Sequence, residues 1–344
     1  MKMLAAKGVV PGLGPADALT VVYALTYADD PNVAKTARAT LDAPPAPVLE
    51  GALRADLLPQ VIDALAPVVM KNEEALPKLL AMRQIGEETL ARIASQATER
   101  VGEILATNEV LLLKFPKVIE KLYMNRQVRM STADRLIELA VRNKIELDFP
   151  AFKEAALAIQ NELIPEPSDE PTYDDILFRE VDSIAAGTEA EDEDVCEEDE
   201  DGEEKVKDKF IPLFAQILNM TVTQKIRRAM LGNGAERMLL VRDTNRLVAE
   251  AAAKSPRMTE PEAVRIAASR AVSDDVLRII ATNRDLMKSY QIKMNLVANP
   301  RTPFTFASRL IPHLRENDLK NLARSKNVPA NVVTTVRAQL SRKK

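Results

Sequence analysis

A single histidine, a single cysteine and no tryptophan in 344 residues leave little material for the commonest active sites. One His and one Cys do not supply the ligands of a structural zinc, and no Ser-His-Asp or Cys-His pair rises above chance spacing. His313, in Leu310-Ile311-Pro312-His313-Leu314, has no acidic or Cys neighbour in sequence that would make it a base or a ligand. It reads as a surface or helix-end histidine. Cys196 alone excludes an intramolecular disulfide and agrees with a reducing cytoplasm. In the acidic run, Glu197, Asp199, Asp201 and Gly202 take the first, third, fifth and sixth places of a calcium-loop template. The template fails elsewhere: its first ligand should be Asp, Glu204 stands where an apolar residue belongs, and Asp208 is too short for the bidentate last ligand. Gly232-Asn233-Gly234 has neither the spacing nor the Lys-Ser/Thr of a phosphate loop, and a helix C-cap is the better reading. No metal and no cofactor is expected.

The charged residues are more informative. Residues 1–164 carry 19 Lys/Arg against 21 Asp/Glu, residues 165–204 one Arg against 19 acids, and residues 205–344 27 basic against 11 acidic. The sequence therefore reads as three parts: an N-terminal helical-repeat domain (1–164), an acidic disordered linker (165–204) and a basic C-terminal helical-repeat domain (205–344). In the basic part, Lys225, Arg227, Arg228, Arg237, Arg242 and Arg246 form a candidate binding surface for a polyanion, with a merely solvated face as the plainer alternative. Inside the linker, Ile176, Leu177, Phe178, Val181 and Ile184 would share one apolar face if residues 173–184 became helical. Such a helix would be a partner-binding motif, a strap on the protein's own surface, or a fluctuating helix with no role.

Positioning these groups falls to helices almost throughout. Leu286, Met287, Tyr290, Met294 and Val297 recur at steps of three and four and stop at Asn299-Pro300. Thr259 with Glu262 predicts a capping box, and Ser273, Thr302 and Ser131 are predicted as further N-caps. The turns recur. Pro256 and Pro300, and likewise Asn283 and Asn327, lie 44 residues apart, and Met82-Arg83-Gln84-Ile85 is echoed 43 residues on by Asn125-Arg126-Gln127-Val128. Ile104-Leu105-Ala106-Thr107-Asn108 is nearly repeated as Ile279-Ile280-Ala281-Thr282-Asn283. The expected fold class is all-α: an α-solenoid of HEAT-like helical repeats with a period of about 43–44 residues, interrupted by the acidic linker. Asp29-Asp30-Pro31-Asn32-Val33-Ala34 looks like the turn and second helix of such a unit. The first thirteen residues lack the long apolar centre of an export signal, and no window approaches eighteen uninterrupted apolar residues, so a cytoplasmic chain without a membrane partner is expected.

The turns NPRTP and SKNVP resemble HEAT-like and leucine-rich-repeat-variant units. The stretch from Met220 to Leu340, with MTVTQKIRRAMLGN, LVRDTNRLVAEAA, SPRMT, VSDDVLRIIATN and YQIKMNLVANPRTP, is similar to uncharacterised helical-repeat proteins of deltaproteobacterial and myxobacterial type. That resemblance implies no catalytic residues. Three function classes follow: a non-enzymatic scaffold that binds a protein partner, with the acidic linker modulating the basic surface; a duplex nucleic-acid binder using the basic half; and, third, an enzyme such as a HEAT-like DNA glycosylase, for which the aromatic stacking groups are missing. The sequence favours the scaffold. It names neither the partner nor the oligomeric state.

Overall fold

The computed structural model describes residues 1–160, 162–188, 194–198, 204–325 and 327–342. Among these the chain is all-α, with 23 α-helices and a single two-stranded antiparallel pairing. No helix among the described residues is long and apolar enough to cross a membrane. The chain divides into two compact units, residues 1–147 and 148–344. The division lies upstream of the charge break at 164/165, because helix Phe152–Ile159 packs on Val222–Leu231 and Arg246–Ala253 of the second unit.

In the first unit, helices pack mainly on partners about one helix pair further along the chain. Pro59–Val69 packs on Glu87–Gln96, Glu87–Gln96 on Pro116–Tyr123, and Glu99–Ala106 on Met130–Arg142. Apolar side chains at helical spacing face these contacts, Leu90, Ile93, Val118, Ile119 and Leu122 among them, all fully buried. Polar bonds follow the same step. Asp63 accepts from Thr89 at 2.8 Å and from Arg92 at 2.7 Å, 26 and 29 residues on, and Arg135 pairs with Glu103 at 2.6 Å across 32. Asn125 donates its amide to the carbonyls of Ala94 and Ala97, at 2.9 and 2.8 Å, and accepts from the Gln127 N–H at 2.9 Å.

The second unit repeats this pattern. Val222–Leu231 packs on Arg246–Ala253, Arg246–Ala253 on Asp274–Thr282, Glu260–Ala268 on Tyr290–Ala298, and Phe304–Leu310 on Ala330–Arg342. Asn299 does here what Asn125 does in the first unit: it donates to Ala267 and Ser269 carbonyls at 2.9 and 2.7 Å and accepts from Arg301 N–H at 2.9 Å. Ile104–Asn108 and Ile279–Asn283 occupy matching places, each at the end of a helix, Glu99–Ala106 and Asp274–Thr282, with a further helix, Pro116–Tyr123 or Tyr290–Ala298, just ahead of the clamp asparagine. The expected period of 43–44 residues is not the step between helices that pack on one another. Side-chain bonds between such helices span 25 to 33 residues, and the 44-residue offset joins turns that precede helices with different packing partners.

Thr259 and Ser273 cap their helices, Thr259 in a full capping box with Glu262. Two expected caps are corrected. Helix Phe304–Leu310 starts one residue late, with Pro303 as its N-cap in extended conformation; Thr302 is left buried, and its hydroxyl has no hydrogen-bond partner. Ser131 lies inside the first turn of Met130–Arg142, whose N-cap is Arg129. There the buried face of Met130 and Ser131 sets where the helix begins.

Residues 165–204, expected to be a disordered linker, contain an ordered helix. Tyr173–Ala186 opens with a capping box between Thr172 and Asp175 and buries Leu177, Phe178 and Val181 in the second unit. Of the three readings of this helix, packing on the protein's own surface is the observed one. Further on, Cys196–Glu198 pairs antiparallel with Glu204–Val206, with Glu197 opposite Lys205. Residues 189–193 and 199–203 lie outside the described residues.

Candidate interaction site on the second unit

The six basic residues expected to form one outward surface are mostly buried and paired. Arg227, Arg228 and Arg237 are 0%, 1% and 4% exposed. They sit on the inner sides of Val222–Leu231 and Gly234–Leu240, where a charge survives only with a partner. Arg237 makes a two-pronged contact with Glu262, at 3.0 and 2.7 Å, and donates to the Gly232 carbonyl at 2.7 Å. Arg228 pairs with Glu236 at 2.5 Å and with Asp182 at 2.8 Å. Lys225 pairs with Asp243 at 3.0 Å. Arg246 alone is well exposed, and it bridges Glu250 and Asp275 at 2.6 and 2.9 Å. The polyanion surface is therefore corrected: charge that looked free in sequence is spent inside the fold.

Much of the pairing comes from the acidic segment. Phe178 of helix Tyr173–Ala186 has the guanidinium carbons of both Arg227 and Arg228 5.0 Å from its ring centre, a contact that attracts a cation to the ring's electron-rich face. Leu177 and Val181 are buried beside it, whereas Ile176 is 46% exposed, so the apolar face assigned to a linear motif is turned inward except at Ile176. The helix end is tied down by Asn233, whose amide donates to the Ala185 carbonyl at 2.7 Å. Gly232 ends one helix, the C-cap read from sequence, and Asn233 caps the next in a box with Glu236. A side chain at Gly232 would press at 2.6 Å on the Arg228 carbonyl and the Glu236 carboxylate.

A second contact lies where the strands meet the unit. Arg242, at the end of helix Gly234–Leu240, is held by its own bond to the Met238 carbonyl at 2.7 Å. It donates to Glu204 at 2.7 Å and pairs with Asp194 at 3.3 Å. The other Glu204 oxygen accepts from the Ser269 hydroxyl, whose oxygen in turn accepts from the Ala271 N–H at 3.2 Å. Burial pushes the Glu204 carboxyl up, but the Arg242 charge and these hydrogen bonds outweigh it and hold the carboxyl below its ordinary value. At Glu236 the balance is reversed: burial pushes its carboxyl up against the pull of Arg228. Val195 and Cys196 are buried at the start of strand Cys196–Glu198, and burial raises the Cys196 thiol.

Sequence reasoning did not find Asp182, Asp194, Glu204, Ser269 or Asn233. The available signal was the acidic run beside a basic half, which predicts attraction but no partner for any one residue. The described contacts of the acidic segment with this unit are fixed and partly buried. His313 is exposed in the short turn Ile311–His313. Three positions of the calcium template, Asp199, Asp201 and Gly202, lie outside the described residues, and among the described residues no three metal-ligating side chains gather. Compared with known proteins, the chain matches no family model, no curated protein and no solved structure.

Proposed function

We propose that the chain is a cytoplasmic, non-enzymatic scaffold of HEAT-like helical repeats that binds a protein partner, and that its acidic segment modulates the surface of the second unit. The observation that carries the reading is the recurrent layer-to-layer bonding, above all the identical clamps of Asn125 and Asn299. A stack built this way exposes a long side of each unit, which suits recognition of an extended partner. The likeness of the NPRTP and SKNVP turns to HEAT-like and leucine-rich-repeat-variant units belongs to the same proposal. Modulation rests on Arg242, whose two ion pairs both come from the acidic segment.

The nucleic-acid alternative loses its named residues, since phosphate binding requires accessible clusters of Lys and Arg. The test is reconstitution: proteins crosslinked to the full chain in its host are purified, and binding is measured by calorimetry. A saturable complex of fixed stoichiometry supports the scaffold. Failure of every purified candidate to bind, or tight salt-dependent binding of duplex DNA, overturns it.

A further inference from the structure

We propose that Arg242 and Ser269 form a carboxylate-binding site for an acidic peptide segment of a partner, and that Glu204 of the chain's own acidic run occupies it in cis. This inference rests on the scaffold reading and gives its partner a chemistry. The donors are set by the repeat helices and not by the occupant. Arg242 is anchored on the Met238 carbonyl at 2.7 Å. Ser269 is fixed from two sides, its carbonyl by the Asn299 amide at 2.7 Å and its hydroxyl by the Ala271 N–H at 3.2 Å. The result is a guanidinium and a hydroxyl converging on one carboxylate, a preorganised arrangement for an anion.

The occupant differs from the acids that belong to the repeat helices themselves, and from Asp182, whose helix Tyr173–Ala186 is held by its buried Leu177, Phe178 and Val181. Glu236, Glu262 and Asp243 stand within the repeat and pair with Arg228, Arg237 and Lys225; they cannot leave without unfolding it. Asp194 and Glu204 arrive on a separate antiparallel pair of strands, closed by the Lys207 N–H on the Val195 carbonyl at 3.0 Å. Lifting those strands removes both carboxylates that pair with Arg242 among the described residues and leaves the donors in place. A segment tethered so close competes at high effective concentration, so an outside acidic peptide meets a site filled most of the time and binds with correspondingly reduced apparent affinity. Nucleic acid fits less well. Its affinity grows with the number of phosphates neutralised, and the neighbouring Arg227, Arg228 and Arg237 are buried.

The probe is a fluorescent synthetic peptide copying residues 192–208, titrated by anisotropy into the full chain. The wild type should bind it weakly, and Asp194→Asn with Glu204→Gln should bind it at least tenfold more tightly. Adding Arg242→Met should abolish the gain, and adding Ser269→Ala should reduce it several-fold. A second measurement needs no variant of the protein: excess peptide should speed hydrogen exchange at the strand amides of 196–198 and 204–206 in the wild type, and a peptide with the same two neutralising changes should not. Equal affinity of wild type and the doubly neutralised chain overturns the proposal, as does a gain that Arg242→Met and Ser269→Ala leave intact, or exchange that the peptide does not alter. A larger gain for a 20-base-pair duplex DNA than for the peptide reassigns the site to polyanions. The scaffold reading fails by a different result, the absence of any reconstituted complex, so the two failures are told apart.

Discussion

If the buried arginines belong to the fold and not to a ligand surface, replacing Arg237 by Met should destabilise the second unit severely. The substitution keeps much of the side-chain volume but strips Glu262 of both its guanidinium bonds, at 3.0 and 2.7 Å, and the Gly232 carbonyl of its 2.7 Å donor. Arg237 and Glu262 are 4% and 5% exposed, so water does not replace what is lost. Breaking one side of a buried pair costs about 3–5 kcal/mol, which is roughly two to three and a half decades in the population of the open state. The assay is native-state hydrogen exchange read by mass spectrometry over Gly234–Leu240 and Glu260–Ala268. Glu262→Gln in the same chain removes the orphaned charge while leaving an amide oxygen for the Thr259 N–H that Glu262 accepts at 3.3 Å. The double variant should therefore recover at least half of the loss, a coupling of about 1–3 kcal/mol. An effect of Arg237→Met below about 0.5 kcal/mol, the range of ordinary surface changes, would refute the burial argument, especially if DNA binding fell at the same time.

The clamp asparagines predict a second effect. Asn299→Ala strands the carbonyls of Ala267 and Ser269 and the N–H of Arg301, at a cost of about 2–4 kcal/mol in thermal melts followed by circular dichroism, and Asn125→Ala should do the same to the first unit. Thr259→Ala should cost about 1 kcal/mol as a lost cap, whereas Thr302→Val should be neutral or stabilising because the Thr302 hydroxyl is buried without a partner; a loss of about 1 kcal/mol at Thr302 would restore it as a cap. Glu204 titrates below its ordinary 4.5, so its contribution to docking is complete above that value and disappears as pH falls through the lowered one. Cys196, buried at the start of its strand, should stay protected from a dipyridyl disulfide from neutral pH down to the ordinary glutamate range and react only below it; onset near neutrality would contradict the Arg242–Glu204 contact.

How much of this was legible depends on what each residue must satisfy. Helix, capping box and C-cap are local, and Thr259-Glu262, Ser273 and Gly232 could be read from spacing because their partners lie within four residues. Thr302 misled because Thr-Pro is ambiguous by one residue: Pro favours the first helical position, but here it adopts the extended N-cap conformation itself. The 43–44-residue spacing differs from the step between packed helices because the repeated words are turn chemistry, and similar turns precede helices with different packing partners. That step became visible only through pairs such as Asp63 with Arg92 and Asn299 with Ser269. Least legible was burial of charge. Arg227 and Arg228 look like a solvated pair in QKIRRAML, and nothing within that helix announces that Phe178 and Asp182, some 46 residues back in the case of Asp182, will cover them.

The same cross-pairing settles where the second unit must begin. Residues 205–344 carry 27 basic against 11 acidic side chains, and a compact body with that imbalance repels itself. Carboxylates from before residue 205 relieve it at buried points: Asp182 on Arg228, Asp194 and Glu204 on Arg242, and Glu154, itself 4% exposed, on Lys254 at 2.6 Å. Phe178, Leu177 and Val181 add apolar cover. A fragment starting at residue 205 would lose all of these and hold Arg228 and Arg242 with part or all of their counter-charge removed, each a cost of several kcal/mol when the site stays dry. A fragment of residues 148–344 keeps every one. The longer fragment should therefore melt cooperatively and resist protease, while the shorter should lose cooperativity or melt at least 10 °C lower, taking about 2–4 °C per kcal/mol for a body of this size. Matching melting curves for the two fragments would show that the acidic segment only decorates a self-sufficient basic half, and would return residues 165–204 to the role of a linker.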